Sequence, residues 1–287
     1  MKVLIIGKSG QLANELMATT PKKVDVSCFG RNEVDITNII DIESLVNTFE
    51  PDVVINASAY TAVDIAESDS EAAYAINEHA VRNLALVCKS ISCKFLHVST
   101  DFIFDGRSNT AYGVDAKPNP KSVYGASKLA GELAIKEYYP EDSSIIRTSW
   151  VYSTYGNNFV KTMLRLMTEK EELGIVVDQI GSPTYAKGLA EFLWQLAILP
   201  KTDIVYHWSD SGVASWYDFA IAIQELALDK GLLKTAIPIR AIPSTDFPAP
   251  AKRPAFSVFD KSSSERILNL EMVHWRKQLS SMLDELI

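Results

Sequence analysis

The chain has 287 residues, of which 47% are hydrophobic and 22% are charged, a balance typical of soluble globular proteins. Its 28 basic and 36 acidic residues give a formal net charge of −8, which argues against nucleic acids and membranes as partners. The sequence contains no apolar run near the roughly 18 residues of a membrane helix. The three cysteines lack CxxC spacing, which predicts reduced thiols in a cytoplasmic protein.

A glycine-rich turn stands between the first predicted strand, residues 2–6, and a helical stretch over residues 14–18. The turn has the pattern G-x-x-G-x-x-A. Gly7 permits the tight turn, Gly10 lets the backbone approach a pyrophosphate, and Ala13 lets the helix pack on the strand. Free N–H groups at the start of the helix would then face the negative charge. The residues assigned to a dinucleotide cofactor here are Gly7, Gly10, Gln11 and Leu12.

A second strand is predicted over residues 24–29, and Arg31 follows its end. In dinucleotide folds this strand end meets the adenosine ribose, where an acidic side chain selects a free 2′-hydroxyl. We find no acid at the strand tip, and an arginine suits a 2′-phosphate. The sequence therefore favours NADPH, with NADH and a plain surface role for Arg31 left open. Asp35 and Ile36 are predicted to line the adenine side.

The third strand is predicted over residues 52–59, after a helix over residues 39–49 and before one over residues 70–87. Small residues follow its apolar part, which suggests backbone lying close to a flat ligand. We therefore predict that the wall of the cofactor site is formed by Ala57, Ser58 and Ala59.

The fourth strand is predicted over residues 94–100, and a doubly wound sheet places its chemistry at such a strand end. There the Thr100 hydroxyl can donate a hydrogen bond to a substrate carbonyl. Asp101 can contact a sugar hydroxyl, and Ser99 is assigned to the nicotinamide ribose. His97 is interpreted as a structural residue of the core.

Tyr124 and Lys128 lie four residues apart on a helix predicted over residues 124–138, so they share one face. The ammonium group would favour the phenolate, which lowers the tyrosine pKa and eases proton donation to an alkoxide. The pair alone is weak evidence. Together with the glycine turn and the Thr100 hydroxyl, it predicts a catalytic acid and its partner. Tyr124 and Lys128 are also assigned to cofactor binding, with Lys128 holding the ribose.

A further strand over residues 144–147 completes an alternation of strands and helices, which predicts a doubly wound parallel sheet of the Rossmann type. We predict a dinucleotide-binding domain over residues 1–149, with returns of the chain near 174–178 and 203–208. Residues 150–287 are predicted to form mainly a smaller, substrate-binding lobe.

Four helices are predicted in this second part, over residues 161–170, 187–199, 215–228 and 274–287. Its aromatic and amide-rich start offers Trp150 and Asn158 to a sugar or a base. A proline-rich segment over residues 237–254 is predicted to be an extended loop. It carries Arg253, which suits a diphosphate, although a surface charge is the alternative.

With these residues in hand, the chain resembles the extended short-chain dehydrogenase/reductases and, within them, the dTDP-4-dehydrorhamnose reductases. The likeness covers essentially the whole length. It is carried by GKSGQLA at 7–13, VDIT at 34–37, NASAYTAVDIAE at 56–67, STDFIFDG at 99–106, YGASKLAGE at 124–132, RTSWVY at 147–152, GNNFVKTMLRL at 156–166, DQIGSPT at 178–184 and PAPAKRP at 248–254.

The resemblance implies that Thr100, Tyr124 and Lys128 are catalytic and that Thr100, Asp101 and Trp150 touch the sugar. It implies NAD(P)H-dependent reduction of the C4 ketone of dTDP-4-dehydro-β-L-rhamnose to dTDP-L-rhamnose, for cell-surface polysaccharide such as O-antigen. Three alternatives stay open: a reductase that forms dTDP-6-deoxy-L-talose, a nucleotide-sugar dehydratase or epimerase, and a non-catalytic NADP-binding regulator. Phe102 argues against the dehydratase, because this side chain cannot act as an acid.

The resemblance also allows a homodimer. Some relatives pair around Mg²⁺ through glutamates, and Glu15 and Glu285 stand at two matching positions. Lys187 occupies the place where a third acid is wanted, and a cation beside a lysine is disfavoured. We therefore assign no metal site, and Mg²⁺ is doubtful.

Overall fold

A computed structural model describes residues 1–268 and 272–287 of the chain. The strands are β1 Lys2–Ile6, β2 Asp25–Phe29, β3 Val53–Asn56, β4 Lys94–Thr100, β5 Ser143–Thr148, β6 Val151–Tyr152, β7 Leu173–Val176, β8 Ile180–Gly181, β9 Thr184–Tyr185, β10 Val205–Trp208, β11 Ala214–Ser215 and β12 Ile239–Ile242. Six of them form a parallel sheet in the order β2-β1-β3-β4-β5-β10.

The α-helices are α1 Gln11–Ala18, α2 Ile39–Phe49, α3 Val63–Ala66, α4 Ser70–Tyr74, α5 Ala80–Ser90, α6 Val123–Tyr138, α7 Phe159–Glu169, α8 Ala186–Ile198, α9 Trp216–Asp229, α10 Ser262–Leu268 and α11 Trp275–Asp284. A π-helical turn, Ala75–His79, joins α4 to α5. Among the described residues, no helix combines the length and apolar character needed to cross a membrane.

The central sheet is buried on both faces, which is why its strands read as continuous apolar runs. In β1, Leu4 and Ile6 pack on one face, whereas Val3 and Ile5 pack on the other, as the two-residue period of a strand requires. Helices α2, α5 and α6 cover the first face, and α1 and α8 cover the second. The predicted doubly wound fold is confirmed.

The second part of the chain contributes both to the central sheet and to a separate core. The return near 203–208 is β10, which extends the central sheet beside β5. The strand predicted near 174–178 forms as β7, but it pairs with β12 in a separate two-stranded sheet. Helix α8 packs on the central sheet, whereas α7, α9 and α11 surround a second apolar core.

The extended loop predicted over residues 237–254 contains a strand, β12. Pro238 and Pro243 flank this strand without interrupting it. A proline at a strand end removes no hydrogen bond from the ladder, because its missing N–H lies outside the paired residues. The proline pattern therefore marked the ends of a strand and not only a loop.

Helix α6 lies unusually close to the π-helical turn. A Cβ atom added at Gly131 would lie 2.1 Å from the backbone oxygen of Asn77. We expect Gly131→Ala to destabilise the protein by about 2 kcal/mol, although alanine favours helices over glycine by about 1 kcal/mol. Denaturant unfolding measures this loss. Gly113→Ala is the control, since an added Cβ there meets no described atom within 4 Å, and equal stability of both variants would contradict the close approach.

Candidate active site

A cleft of about 490 Å³ opens at the carboxyl ends of the central strands, a size ordinary for a small-molecule site. The strand order reverses at β1, and doubly wound sheets bind ligands at such a reversal. The sequence-predicted residues that line the cleft are Gly10, Gln11, Leu12, Ala57, Ser58, Ala59, Ser99, Thr100, Asp101, Tyr124, Lys128 and Trp150. Most of the predicted site is therefore brought together.

The glycine turn fits a dinucleotide by its geometry. Gly7 has φ of 119°, and a Cβ there would lie 2.9 Å from the backbone of Ala57 and Ser58. A side chain is thus excluded where β1 and β3 meet. Within the described residues, no side chain caps the N-terminus of α1 after Gly10. The N–H groups of its first turn remain available to a pyrophosphate.

The residues predicted for the adenosine end lie outside the cleft lining. Arg31 is exposed in the turn after β2. Asp35 accepts hydrogen bonds from the backbone N and Oγ1 of Thr37, at 2.9 and 2.7 Å. Ile36 is buried against the sheet and α2. Their assignment to the cofactor stays a prediction.

An acidic side chain does reach the tip of β2, contrary to the sequence analysis. The Glu33 carboxylate folds back to accept a hydrogen bond from the backbone N of Gly30 at 2.9 Å, and it also pairs with Lys8. The Lys8 hydrogen bond lowers the pKa of Glu33. Glu33 lies four residues after the end of β2 at Phe29, so its position in the sequence does not place it at the strand tip.

The strand end and the start of α6 hold the predicted catalytic groups. Thr100 Oγ1 donates to Asp101 Oδ1 at 3.1 Å and accepts from the backbone N of Phe102 at 3.2 Å. The Tyr124 ring stands edge-on to Phe102, with centroids 5.4 Å apart. Lys128 Nζ donates to the Val98 backbone oxygen at 2.6 Å. The three predicted catalytic residues therefore share one cleft.

The pKa values differ from the expectation. Burial raises the pKa of Tyr124 to about 12; the Asp101 carboxylate acts in the same direction, and Thr100 opposes both. Burial lowers the pKa of Lys128 to about 8, against the attraction of Glu132. The expected lowering of the tyrosine pKa was wrong, because burial dominates and the lysine amine is directed to Val98 and His97.

Ser99, predicted to touch a ribose, belongs to a buried polar network. Its hydroxyl donates to Glu132 Oε1 at 2.6 Å. The same carboxylate receives a bidentate contact from Arg147, through Nη2 at 2.7 Å and Nε at 3.0 Å. Arg147 Nη1 also donates to the Val114 backbone oxygen at 3.0 Å. This network, which the sequence analysis missed, ties α6 to β4 and β5 directly behind the cleft.

Two stacked tryptophans form the wall of the cleft on the side of the second core. Trp150 has φ of 49° and stacks on Trp216, with centroids 3.6 Å apart and planes 7° from parallel. Both side chains line the cleft. The sequence analysis did not predict Trp216 as a site residue. The sequence shows only that it is the first residue of a helix capped by Ser215.

Asn158 and Arg253, both predicted to bind substrate, are engaged with other residues of the chain. The Asn158 amide nitrogen donates to Gln11 Oε1 at 2.9 Å, and its oxygen caps α7. The Arg253 guanidinium makes a bidentate contact with Asp64, at 2.8 and 3.1 Å. Neither residue belongs to the cleft lining, so substrate contact stays a prediction for both.

The acidic residues considered for Mg²⁺ are bound by protein groups. Glu285 accepts from Lys187 Nζ at 2.7 Å and from the Tyr185 hydroxyl at 2.9 Å. Glu15 accepts from Ser153 Oγ at 2.6 Å, and burial raises its pKa. Across residues 1–268 and 272–287, no group of three or more His, Cys, Asp or Glu side chains is arranged to hold a metal ion. This donor set does not fit a divalent cation.

The fold and the cleft together place the protein among the extended short-chain dehydrogenase/reductases. Comparison with protein families narrows this class. The family described as RmlD substrate binding domain matches residues 1–287, and the chain belongs to that family.

Individual relatives match this chain over nearly their full lengths. The chain is 39% identical to a dTDP-4-dehydrorhamnose reductase of Aggregatibacter actinomycetemcomitans, covering 98% of each sequence. The crystal structure of a dTDP-4-dehydrorhamnose reductase from Clostridium acetobutylicum has a TM-score of 0.94 at 36% identity, covering 100% of this chain and 99% of that one. A second, from Bacillus anthracis in complex with NADP, has a TM-score of 0.92 at 37% identity, covering 99% of both chains.

Proposed function

We propose that this protein reduces the C4 ketone of dTDP-4-dehydro-β-L-rhamnose to give dTDP-L-rhamnose, with NADPH as the reductant, for cell-surface polysaccharide synthesis. The observation that carries the proposal is the convergence of Thr100, Tyr124 and Lys128 in one cleft beside an uncapped helix N-terminus. Full-length relatives bearing the name of this reductase support the substrate.

Each catalytic side chain has one task in the proposed reaction. When bound, the nicotinamide supplies the hydride that adds to C4. Tyr124 donates its phenolic proton to the oxygen that becomes the C4 hydroxyl. Its high pKa keeps the phenol protonated at neutral pH, so the phenolic proton is present before the substrate binds. The Thr100 hydroxyl polarises the ketone after turning its single proton from Asp101 to the substrate oxygen, and Lys128 orients the ribose.

The substrate is proposed to lie between the catalytic groups and the tryptophan wall. Sugars pack their apolar faces on aromatic rings, and the stacked Trp150 and Trp216 present such a surface. Asp101 stands in the cleft beside Thr100 and accepts its hydrogen bond, so it is placed to meet a sugar hydroxyl. Arg253 is proposed to receive the diphosphate, with Asp64 holding the guanidinium in position.

The coenzyme choice is proposed to depend on Arg31. Arg31→Ala is expected to raise the KM for NADPH roughly tenfold without changing the KM for NADH, because only NADPH presents a 2′-phosphate. Initial rates with each coenzyme measure the difference. Arg82→Ala, which removes another exposed arginine on α5, is the matched control. Equal losses with both coenzymes would show that Arg31 does not read the phosphate.

One experiment tests the proposed reaction directly. The protein is incubated with dTDP-4-keto-6-deoxyglucose, the C3/C5 epimerase and each coenzyme, and the product sugar is identified by NMR. Stoichiometric loss of NADPH absorbance with formation of dTDP-L-rhamnose supports the proposal. Formation of dTDP-6-deoxy-L-talose would instead indicate the reductase that gives the C4 epimer. Turnover without net NADPH loss would indicate a dehydratase or epimerase, and no sugar-dependent turnover would indicate a regulator.

The proposed location is the cytoplasm. Cys28, Cys88 and Cys93 all lie within the described residues and are free thiols. Unpaired cysteines are the expected state in a reducing compartment, which supports this location.

A further inference from the structure

A buried histidine lies directly behind the catalytic lysine. His97, in the middle of β4, is 0% exposed and stands between the neighbouring strand β3 and helix α6. Its Nδ1 lies 3.1 Å from Nδ2 of Asn56, and its Nε2 lies 3.2 Å from Nζ of Lys128. Both ring nitrogens therefore face a nitrogen of a neighbouring side chain, and the positions of the hydrogens decide which contacts are favourable.

The orientation of the Asn56 amide is fixed from its other side. Asn56 Oδ1 accepts hydrogen bonds from the backbone N of Ser58 at 3.0 Å and from Ser58 Oγ at 2.6 Å. A backbone N–H can only donate, so the amide oxygen must face Ser58 and the NH₂ group must face His97. Because an amide NH₂ has no acceptor, His97 Nδ1 has to be the unprotonated, accepting nitrogen of the ring.

The remaining proton of the ring then faces Lys128. Burial holds the pKa of His97 well below its ordinary value, so the imidazole is neutral and carries one N–H. With Nδ1 accepting, that N–H lies on Nε2 and is directed at the lysine nitrogen. An ammonium group has three donors and no lone pair, whereas a neutral amine can accept one hydrogen bond. Lys128 Nζ donates a hydrogen bond to Val98.

We propose that Asn56 fixes His97 in its Nε2–H tautomer and that the His97 N–H thereby disfavours the ammonium form of Lys128 in the ligand-free protein. His97 and Asn56 are positioning residues, since they act through Lys128. To accept an ammonium proton, His97 must move its own proton to Nδ1, and Asn56 must then turn its oxygen away from Ser58. Ser58 lines the cleft, so the charge of Lys128 is coupled to the cofactor wall.

The charged groups around Lys128 are consistent with this assignment. Glu132, one turn further along α6, attracts an ammonium, but its carboxylate is already bound by Arg147 and Ser99. Tyr124 and Asp101 stand on the cleft side, and burial lowers the pKa of Lys128 to about 8. The His97 N–H acts in the same direction as burial. The link between His97 and catalysis rests on the proposed function, because Lys128 has a catalytic role only if Tyr124 is the proton donor.

The tautomer is measured by nitrogen NMR on the full-length, ligand-free protein. The sequence has four histidines, and loss of one signal pair in His97→Gln assigns the ring. At pH 7 we expect the proton on Nε2, and a proton on Nδ1 or on both nitrogens would overturn the proposal. With ¹³Cε-labelled lysine, the pKa of Lys128 is expected to be about 8, below its ordinary value of 10.5. A Lys128 pKa at its ordinary value would equally overturn it.

Asn56→Asp is the most direct test of the His97 tautomer. A carboxylate at position 56 accepts from His97 Nδ1–H, so the tautomer should invert and the Lys128 pKa should rise by ~2 units. The same change in a His97→Phe background should raise it by less than half as much, which separates the tautomer from the added charge. Ser58→Ala is the control, since the backbone N–H remains and the tautomer should be unchanged. An Asn56→Asp protein that keeps its proton on Nε2 would contradict the mechanism.

These measurements need no substrate or turnover. A wrong tautomer would overturn the inference and leave the proposed reductase activity standing, whereas a failed turnover assay would leave the tautomer result intact.

Discussion

Tyr124→Phe is expected to lower kcat by about 10²- to 10⁴-fold while NADPH binding is retained, because it removes only the proton donor. The ring packs edge-on against Phe102, and phenylalanine can keep that contact. The Tyr124 hydroxyl interacts with Thr100 at the end of β4, whereas the pyrophosphate is expected at the glycine turn after β1. Fluorescence titration of NADPH and the rate of its sugar-dependent oxidation measure the two effects separately.

The control for this variant is Tyr138→Phe. Tyr138 lies in the last turn of the same helix, so the same atom is removed from α6 far from the cleft. We expect its turnover to be unchanged. Near-normal turnover in Tyr124→Phe would remove the phenol from the mechanism, and loss of NADPH binding would show that the hydroxyl serves the cofactor instead.

The pH dependence of this step follows from burial. The pKa of Tyr124 is raised to about 12, so the phenol stays protonated throughout the neutral range. A tyrosine with a lowered pKa would lose part of its acid form as the pH rises. Tyr124 is therefore not expected to titrate near pH 7, whereas Asp101 and Lys128 are the cleft groups whose pKa values lie closer to it. Burial raises the pKa of Asp101 to about 6 and lowers that of Lys128 to about 8.

The central sheet could be predicted because its signals are local. Strand β1 is an apolar run bounded by a glycine turn, and β4 is an apolar run ending in Ser99 and Thr100, so both were assigned from neighbouring residues alone. The Tyr124 and Lys128 pair was found in the same way, since four residues correspond to about one helical turn. Local periodicity was sufficient for the fold and for placing Tyr124 and Lys128 in the same cleft.

The rest of the site depends on contacts between distant segments. His97 was interpreted as a structural core residue, because nothing near it in sequence shows that the register of β4 places its ring against Lys128. The stacking of Trp150 on Trp216 likewise joins two separate segments. The pairing of β7 with β12 was missed because four-residue strands carry little periodic signal. Such contacts are set by tertiary packing.

The largest stability loss is expected from breaking the buried ion pair behind the cleft. Arg147 and Glu132 have side-chain exposures of 1% and 0%. Arg147→Met should lower the free energy of unfolding by about 3–5 kcal/mol, because it leaves the Glu132 carboxylate buried without its counter-charge. Denaturant unfolding measures the loss. Arg165→Met is the matched control: its pair with Glu169 is exposed, so its removal should cost only about 0.3–0.5 kcal/mol.

A double variant separates the cost of an unpaired charge from the value of the pair itself. Replacing both Arg147 and Glu132 by methionine removes two buried charges together, and apolar replacement of a whole buried pair is often neutral. We expect the double variant to recover most of the stability lost in Arg147→Met, although the Ser99 hydroxyl then loses its acceptor. A double variant that is no more stable than Arg147→Met would instead show that the pair itself contributes net stability to the packing of α6 against the sheet.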